Sequence, residues 1–341
     1  MRPPWRVRKN EVDSGVFSRR MAGMNLLQRR FGIIRIFTIA LAGLAAALTW
    51  TGCASPQSKR PKKILVFTKS SNFEHDAIKR TGTNLSLGEE TLKKIGETNN
   101  LEFDFTKDGR LITAENIAQY DGFVFYTTGD LTTSGTDHQP PMTREGKAAF
   151  LAAIRQGKGF VGIHSATDTF HSPGNRDGGA ARFQNDGTNV DPYIAMIGGE
   201  FIIHASQQKA RMIPEDPKFP GMQALPANFG PNEEWYTLKN FAPDLHVLLV
   251  QDTASMSKKT GGDYCYDRPP FPATWAHLYG KGRVFYTSMG HRDDIWKSPV
   301  FQQVLLGGIN WAVRNVNADI TPNLKRAAPE ADQLPKYRKT D

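Results

Sequence analysis

The stretch Gly159-Phe160-Val161-Gly162-Ile163-His164-Ser165-Ala166-Thr167-Asp168-Thr169-Phe170 reads as a strand buried on both faces that ends in a sharp turn. An unbroken apolar run of strand length is what a parallel sheet demands, because helices cover both of its faces. Within it, Gly162-Ile163-His164-Ser165-Ala166 has the spacing of a nucleophile elbow, where small flanking residues let a strained strand-to-helix turn lift the central side chain. The lifted residue is His164, so acyl transfer through an elbow thiol or hydroxyl is excluded. An imidazole there points to general acid/base work or metal ligation.

Outward from this strand the chain alternates. Residues 143–156 carry Ala149, Phe150, Ala153 and Ile154 at helical spacing, open on Thr143-x-x-Gly146 and stop at Gly157. Further upstream lie the apolar run Lys63-Ile64-Leu65-Val66-Phe67-Thr68, a helical stretch over 84–98, the alternating strand 101–106, a short helix at 113–119 led by Thr113-x-x-Asn116, and the strand 122–126. Four strand and helix alternations in a row imply an α/β fold with a doubly wound parallel sheet and right-handed crossovers. Downstream, residues 172–189 are rich in Gly, Asn and Asp and read as a long loop of the kind that lies over a site or is disordered. Further strands are expected at 200–204, 245–250, 273–277 and 283–289, and a closing helix at 300–313. The charged, Pro-containing segment from Asn317 reads as a solvated tail.

The formal charge of +9 over 341 residues misleads. Residues 1–53 hold nine of the 43 Lys/Arg and two of the 34 Asp/Glu, so the rest is nearly neutral, with 34 bases and 32 acids. No basic stripe interleaved with aromatics exists, which argues against nucleic acid as a partner. Gln28-Arg29-Arg30-Phe31-Gly32-Ile33-Ile34-Arg35 followed by the apolar run 36–50 has the charged and hydrophobic regions of a secretory signal. Thr51-Gly52-Cys53-Ala54-Ser55 resembles a bacterial lipobox, with Trp50 in place of the usual Leu. We therefore expect an exported protein of the periplasm or cell envelope, tethered by lipidation at Cys53, or else by an uncleaved signal. Met24 offers an alternative start that would leave 1–23 untranslated. The expected organisation is a leader (1–53), a polar, Pro-bounded linker (54–62), one domain (63–317) and a tail (318–341). With Cys53 lipidated, Cys265 has no intramolecular disulfide partner and reads as a structural thiol.

Ligands of open α/β sheets bind beyond the carboxyl ends of the strands. His75 follows the first strand, His164 ends the fourth and His291 follows the last, so three of the eight histidines fall on one edge by chain position alone.

Gly162-Ile163-His164-Ser165-Ala166, Gly198-Gly199-Glu200-Phe201-x-x-His204, Glu233-Glu234-Trp235-Tyr236, and Thr274-Trp275-Ala276-His277-x-Tyr279-Gly280-Lys281-Gly282-Arg283-Val284-Phe285-Tyr286 with Gly290-His291 together resemble the ThuA-like family, over roughly 63–315. That resemblance implies a three-layer α/β/α sandwich with a mostly parallel, flavodoxin-like sheet of the class I glutamine amidotransferase type, the amidotransferase Cys being absent. It also implies carbohydrate catabolism, on a glycoside or an oxidised 3-keto sugar, with a sugar oxidoreductase as a possible pathway partner. Glu233 stands where an Asp commonly precedes the Glu of the Glu-Trp-Tyr motif.

The candidate catalytic residues are His164, Glu234, His204 and His291. Trp235 and Tyr236 offer Glu234 an apolar wall that would raise its pKa for acid/base work. His75, Asp168, Glu200, Trp235, Tyr236 and Arg283 are candidates for binding or orienting a small carbohydrate, while His138, His171 and His246 read as structural. His164, His204 and His291, with Glu234, are ligand types suited to zinc or another divalent transition metal. Their spacing matches no local ligand signature, so no cofactor is assigned. The leading reading is an enzyme using His/Glu acid-base chemistry; the alternatives are a non-catalytic carbohydrate-binding or scaffold protein and a metal-dependent hydrolase.

Overall fold

The computed structural model describes residues 60–258 and 261–338, without the side chains of 261–263. The expected leader, Cys53 and most of the linker lie outside the described residues.

The first half follows the alternation in the sequence. Strand β1 (Lys62–Phe67) turns Ile64 and Val66 to one face and Leu65 and Phe67 to the other, all buried. Helix α1 (Leu87–Thr98) begins with a capping box, Ser86 Oγ accepting from the Glu89 amide and Glu89 from the Ser86 amide, which satisfies two amides that the first turn leaves open. Then come β2 (Leu101–Thr106), α2 (Ala114–Ala118) capped by Thr113, β3 (Gly122–Phe125), α3 (Arg144–Gln156) capped by Thr143, and β4 (Gly159–Ile163). Gly157 stops α3 at φ +130°, a conformation L side chains rarely adopt.

The second half departs from an all-parallel sheet. It supplies α4 (Pro173–Asp177), α5 (Pro192–Ile197), β5 (Glu200–His204), β6 (Gln208–Lys209), β7 (Arg211–Pro214), β8 (Asn232–Glu233), β9 (Tyr236–Lys239), β10 (His246–Asp252), β11 (Phe271–Tyr279), β12 (Gly282–Thr287), α6 (Asp293–Lys297) and α7 (Pro299–Ala312). The main sheet has eight strands in the order β2-β1-β3-β4-β12-β11-β10-β7. Pairing is parallel from β2 to β12 and antiparallel from β12 through β11 and β10 to β7. Leu92, Trp296, Leu305 and Ile309 of α1, α6 and α7 pack on one face; Ile117, Phe150, Ile154 and Tyr193 of α2, α3 and α5 pack on the other. The result is the expected three-layer sandwich. Two short ribbons, β5 with β9 and β6 with β8, stand apart from the main sheet.

Two expectations change. The 172–189 segment is not a bare loop: it forms α4 and short 3-10 turns, and Asp186 ties it down by accepting from the Gly174 amide and pairing with Lys239 at 2.7 Å. The segment after Asn317 is not simply solvated. Asn323 bonds both backbone groups of Val247, Ala328 and Ala331 are buried, and the buried Arg268 donates to the Ala331 carbonyl. Among the described residues no helix is long and apolar enough to cross a membrane.

Candidate functional site

Three of the parallel strands, β1 and the adjacent pair β4 and β12, deliver histidines to the carboxyl edge of the sheet. His75 lies beyond β1, His164 directly follows β4, and His291 lies beyond β12. The elbow is real and strained: His164 has φ +46°, and a 3-10 turn rather than an α-helix follows it. A Cβ on Gly162 would come within 2.8 Å of the Ile197 side-chain tip and 3.1 Å of the Tyr286 ring, so any larger residue beneath the turn must displace them. Gly290, at φ +127°, lets the chain fold back and present His291. The rings of His75, His164 and His291 stand edge to face, with centroids 4.9 to 5.3 Å apart.

The β5–β9 ribbon brings the carboxylate. His204 pairs in register with Tyr236, and Glu234 sits at the turn leading into β9. Its Oε2 lies 3.0 Å from His291 Nδ1, 3.5 Å from His164 Nε2 and 4.0 Å from His75 Nε2, while Oε1 lies 3.4 Å from His204 Nδ1. None of these contacts is aligned as a hydrogen bond. His164 Nε2, His291 Nδ1 and His75 Nδ1 are buried without a hydrogen-bond partner. His164 Nδ1 meets the Ser288 carbonyl at 2.9 Å, an arrangement that places the ring proton on Nδ1 and leaves Nε2 as a lone pair facing Glu234. The Tyr236 ring walls the group, its centroid 4.3 Å from that of His164, and its hydroxyl lies 3.4 Å from His75 Nε2.

Burial alone would raise the Glu234 carboxyl, but His164, His291 and His204 outweigh it and hold Glu234 far below the usual carboxylate range. The apolar-wall expectation is therefore reversed in direction: the neighbouring histidines lower the Glu234 carboxyl where its apolar wall was expected to raise it. Desolvation pushes His75 well down, helped by His164 and His291, and pushes His164 down against the pull of Glu234. For His291 burial opposes protonation, yet Glu234 outweighs it and raises the pKa. Glu233, buried behind the cluster, is pushed up to about 7 by desolvation, although the amides of Glu234 and His291 donate to it.

Other expected residues go elsewhere. Asp168 and Glu200 orient a histidine, but it is His171, at 2.9 and 3.2 Å, and not a member of the cluster. Glu200 also accepts from the Ser172 amide and from Asn240, so it anchors the 172–189 segment. Trp235 is buried and donates to the Gln208 carbonyl. Arg283, at the amino end of β12, bonds the carbonyls of Trp311 and Val316 and the side chain of Asn317; it closes the far end of the sheet and does not bind at the site. Glu233 was legible only as a motif variant, and the Ser288 carbonyl carried no sequence signal. Cys265 is buried, with its carbonyl accepting from Thr237, away from the elbow.

A cavity of about 370 Å³ opens beside His291, lined by Asp76, Gln207, Arg292, Asp293, Asp294 and Lys297. A larger one, about 730 Å³, lined by Asn240, Phe241, His277 and Tyr279 among others, shares no residue with the cluster. A polar hollow beside His291, the imidazole whose protonation Glu234 favours, can hold a hydroxylated ligand and donate to an oxygen on which negative charge develops.

The family model described as "ThuA: Trehalose utilisation" matches residues 63–312. Among solved structures, a ThuA-like protein of Bacteroides uniformis is 20% identical with a TM-score of 0.52, over 76% of this chain and 95% of its own. Another, of Parabacteroides merdae, is 19% identical with a TM-score of 0.50, over 82% of this chain and 98% of its own. No match was found among curated proteins. At these identities the structures speak for the fold, but the family model spans most of the sandwich and both the elbow and Glu234: the chain belongs to the ThuA, or trehalose utilisation, family.

Proposed function

We propose that this chain is an exported enzyme of carbohydrate catabolism whose reaction centre is the cluster of His75, His164, His204, Glu234 and His291. The family's description supports a carbohydrate-related role at the family level. One observation carries the catalytic part of the reading: a carboxylate side chain, Glu234, lies within 4.0 Å of four imidazoles at the carboxyl edge of the sheet, beside a polar cavity. Burying so many titratable groups in one place destabilises a fold unless they serve a purpose. In this reading His291, whose protonated ring Glu234 favours, stabilises the negative charge that develops at a sugar carbonyl or glycosidic oxygen, and Glu234 balances the imidazolium. His204, whose side chain is 41% exposed, moves the proton between that oxygen and solvent.

The favoured substrate is a 3-keto glycoside, because a ketone gives the cluster an oxygen on which negative charge can develop, and a sugar oxidoreductase would supply it. The decisive experiment incubates purified protein with matched native and 3-keto disaccharides and follows products. Turnover that disappears in both His164→Ala and Glu234→Gln supports the enzyme. Tight sugar binding without turnover would overturn it in favour of a binding protein. Export by lipidation at Cys53 is tested separately by envelope fractionation of the Cys53→Ser variant, which should lose membrane association.

A further inference from the structure

His75, His164, Glu234 and His291 come from four separate segments, and one ligand-type atom from each lies within 4.8 Å of all the others. We infer that these four residues form the binding site of a divalent first-row transition-metal ion, a three-imidazole, one-carboxylate centre. The inference rests on reading this cluster as the reaction centre and supplies the group that would polarise the sugar oxygen.

Three features carry it. The first is the orphaned nitrogens: His164 Nε2 and His291 Nδ1 approach Glu234 Oε2 at 3.5 and 3.0 Å without aligning as donors, and both are buried with no other partner. Buried polar atoms are almost always paired, so atoms that converge without bonding one another mark a shared partner. The second is support from behind. His164 Nδ1 is engaged by the Ser288 carbonyl at 2.9 Å, and the His291 amide donates to Glu233 at 2.8 Å. A ligating imidazole is normally held through its other ring nitrogen, as His164 is, which fixes the tautomer and aims the lone pair, while the Glu233 bond positions the His291 backbone. The third is size. Metal–nitrogen bonds of ~2.0–2.1 Å place tetrahedral ligand atoms ~3.3 Å apart, and the separations from Glu234 Oε2 of 3.0, 3.5 and 4.0 Å bracket that value.

The donor set selects the ion. Imidazole-rich sites suit Zn²⁺, Co²⁺, Ni²⁺ or Fe²⁺, whereas Mg²⁺ and Ca²⁺ require oxygen ligands. His204 is outside the ligand set, because the nitrogen it turns toward Glu234, Nδ1, is the one that meets the Ala205 carbonyl at 3.1 Å, whereas His164 faces Glu234 with its other nitrogen, and the His204 side chain is far more exposed. This changes the expected set of His164, His204 and His291 by exchanging His204 for His75.

The test uses the purified, chelator-stripped full chain titrated with Zn²⁺ by calorimetry and with Co²⁺ by visible absorption, in the absence of sugar. We expect one ion per chain, cobalt d–d bands, and no competition from excess Mg²⁺ or Ca²⁺. Glu234→Gln and His291→Ala should weaken binding by about tenfold or more, and His204→Ala should bind like the parent. Absence of stoichiometric binding, an unchanged affinity in Glu234→Gln, or equal losses in His204→Ala and His291→Ala would overturn the site. Should His291→Ala fail to fold, the near-isosteric Glu234→Gln and the parent stoichiometry decide alone. Metal binding without turnover would sink the enzyme reading and keep the metal site; turnover by stripped protein that also takes up no ion would do the reverse.

Discussion

His291 Nδ1 stands 3.0 Å from Glu234 Oε2, tying the loop beyond the last parallel strand to the ribbon that crosses the sheet's edge. Glu233 repeats the tie one residue earlier by accepting from the His291 amide at 2.8 Å. Two carboxylates in succession thus hold one histidine, the first through its backbone and the second through its ring.

Replacing Glu234 with Gln removes the anion while keeping its shape. We expect turnover of a 3-keto glycoside to fall by about 10²–10⁴-fold, the range typical for a lost acid/base or charge-stabilising group. The His291 pKa, which Glu234 raises, should fall, and NMR titration of the imidazole reads this directly. An unmoved His291 titration would show that the contact does not form in solution.

His171 governs a separate pH dependence. Burial lowers its pKa, but Asp168 and Glu200 outweigh burial and push it up to about 9. A pKa raised on folding stabilises the protein fully below the unfolded value of ~6.5 and ceases to do so as pH rises through about 9. The contribution is on the order of 3 kcal/mol. Thermal melts from pH 6 to 10 should therefore show Tm falling between about pH 6.5 and 9 and levelling beyond, and His171→Gln should flatten the fall. An equal slope in the variant would refute the assignment.

Gly162→Val probes the elbow. The added carbons would meet Ile197 at 2.8 Å and Tyr286 at 3.1 Å inside a packed sheet, so strain of ~1–3 kcal/mol is expected. Denaturant unfolding should show a lower midpoint with an unchanged slope. A midpoint equal to the parent's would mean that the turn beneath His164 has room to relax.

Removing residues 318–341 should lower Tm and expose apolar surface to a hydrophobic dye. The deletion uncovers the surface that Ala328 and Ala331 bury, strips Asn323 from the Val247 backbone, and takes the Ala331 carbonyl from the buried Arg268. A truly solvated tail would leave the melt unchanged.

Much of this molecule was written locally. The unbroken apolar runs at β1 and β4 implied strands covered on both faces; Thr143 and Gly157 mark the ends of α3. The small residues around His164 declared the elbow, and chain position alone put His75, His164 and His291 on one edge. These features depend on interactions among near neighbours, so the amino-acid order determined them. What it did not contain was the meeting of distant segments: the antiparallel β10–β11–β12 half, the ribbon that carries Glu234 over the edge, and the engagement of His164 by Ser288, 124 residues away. Asp168 and Glu200 were singled out as orienting residues, yet only packing decided that they orient His171, and Arg283 was drawn to the opposite end of its strand's sheet. A side chain's type limits what it can do chemically, but its partner is chosen by which surfaces bury together, and that choice is made across the whole chain at once.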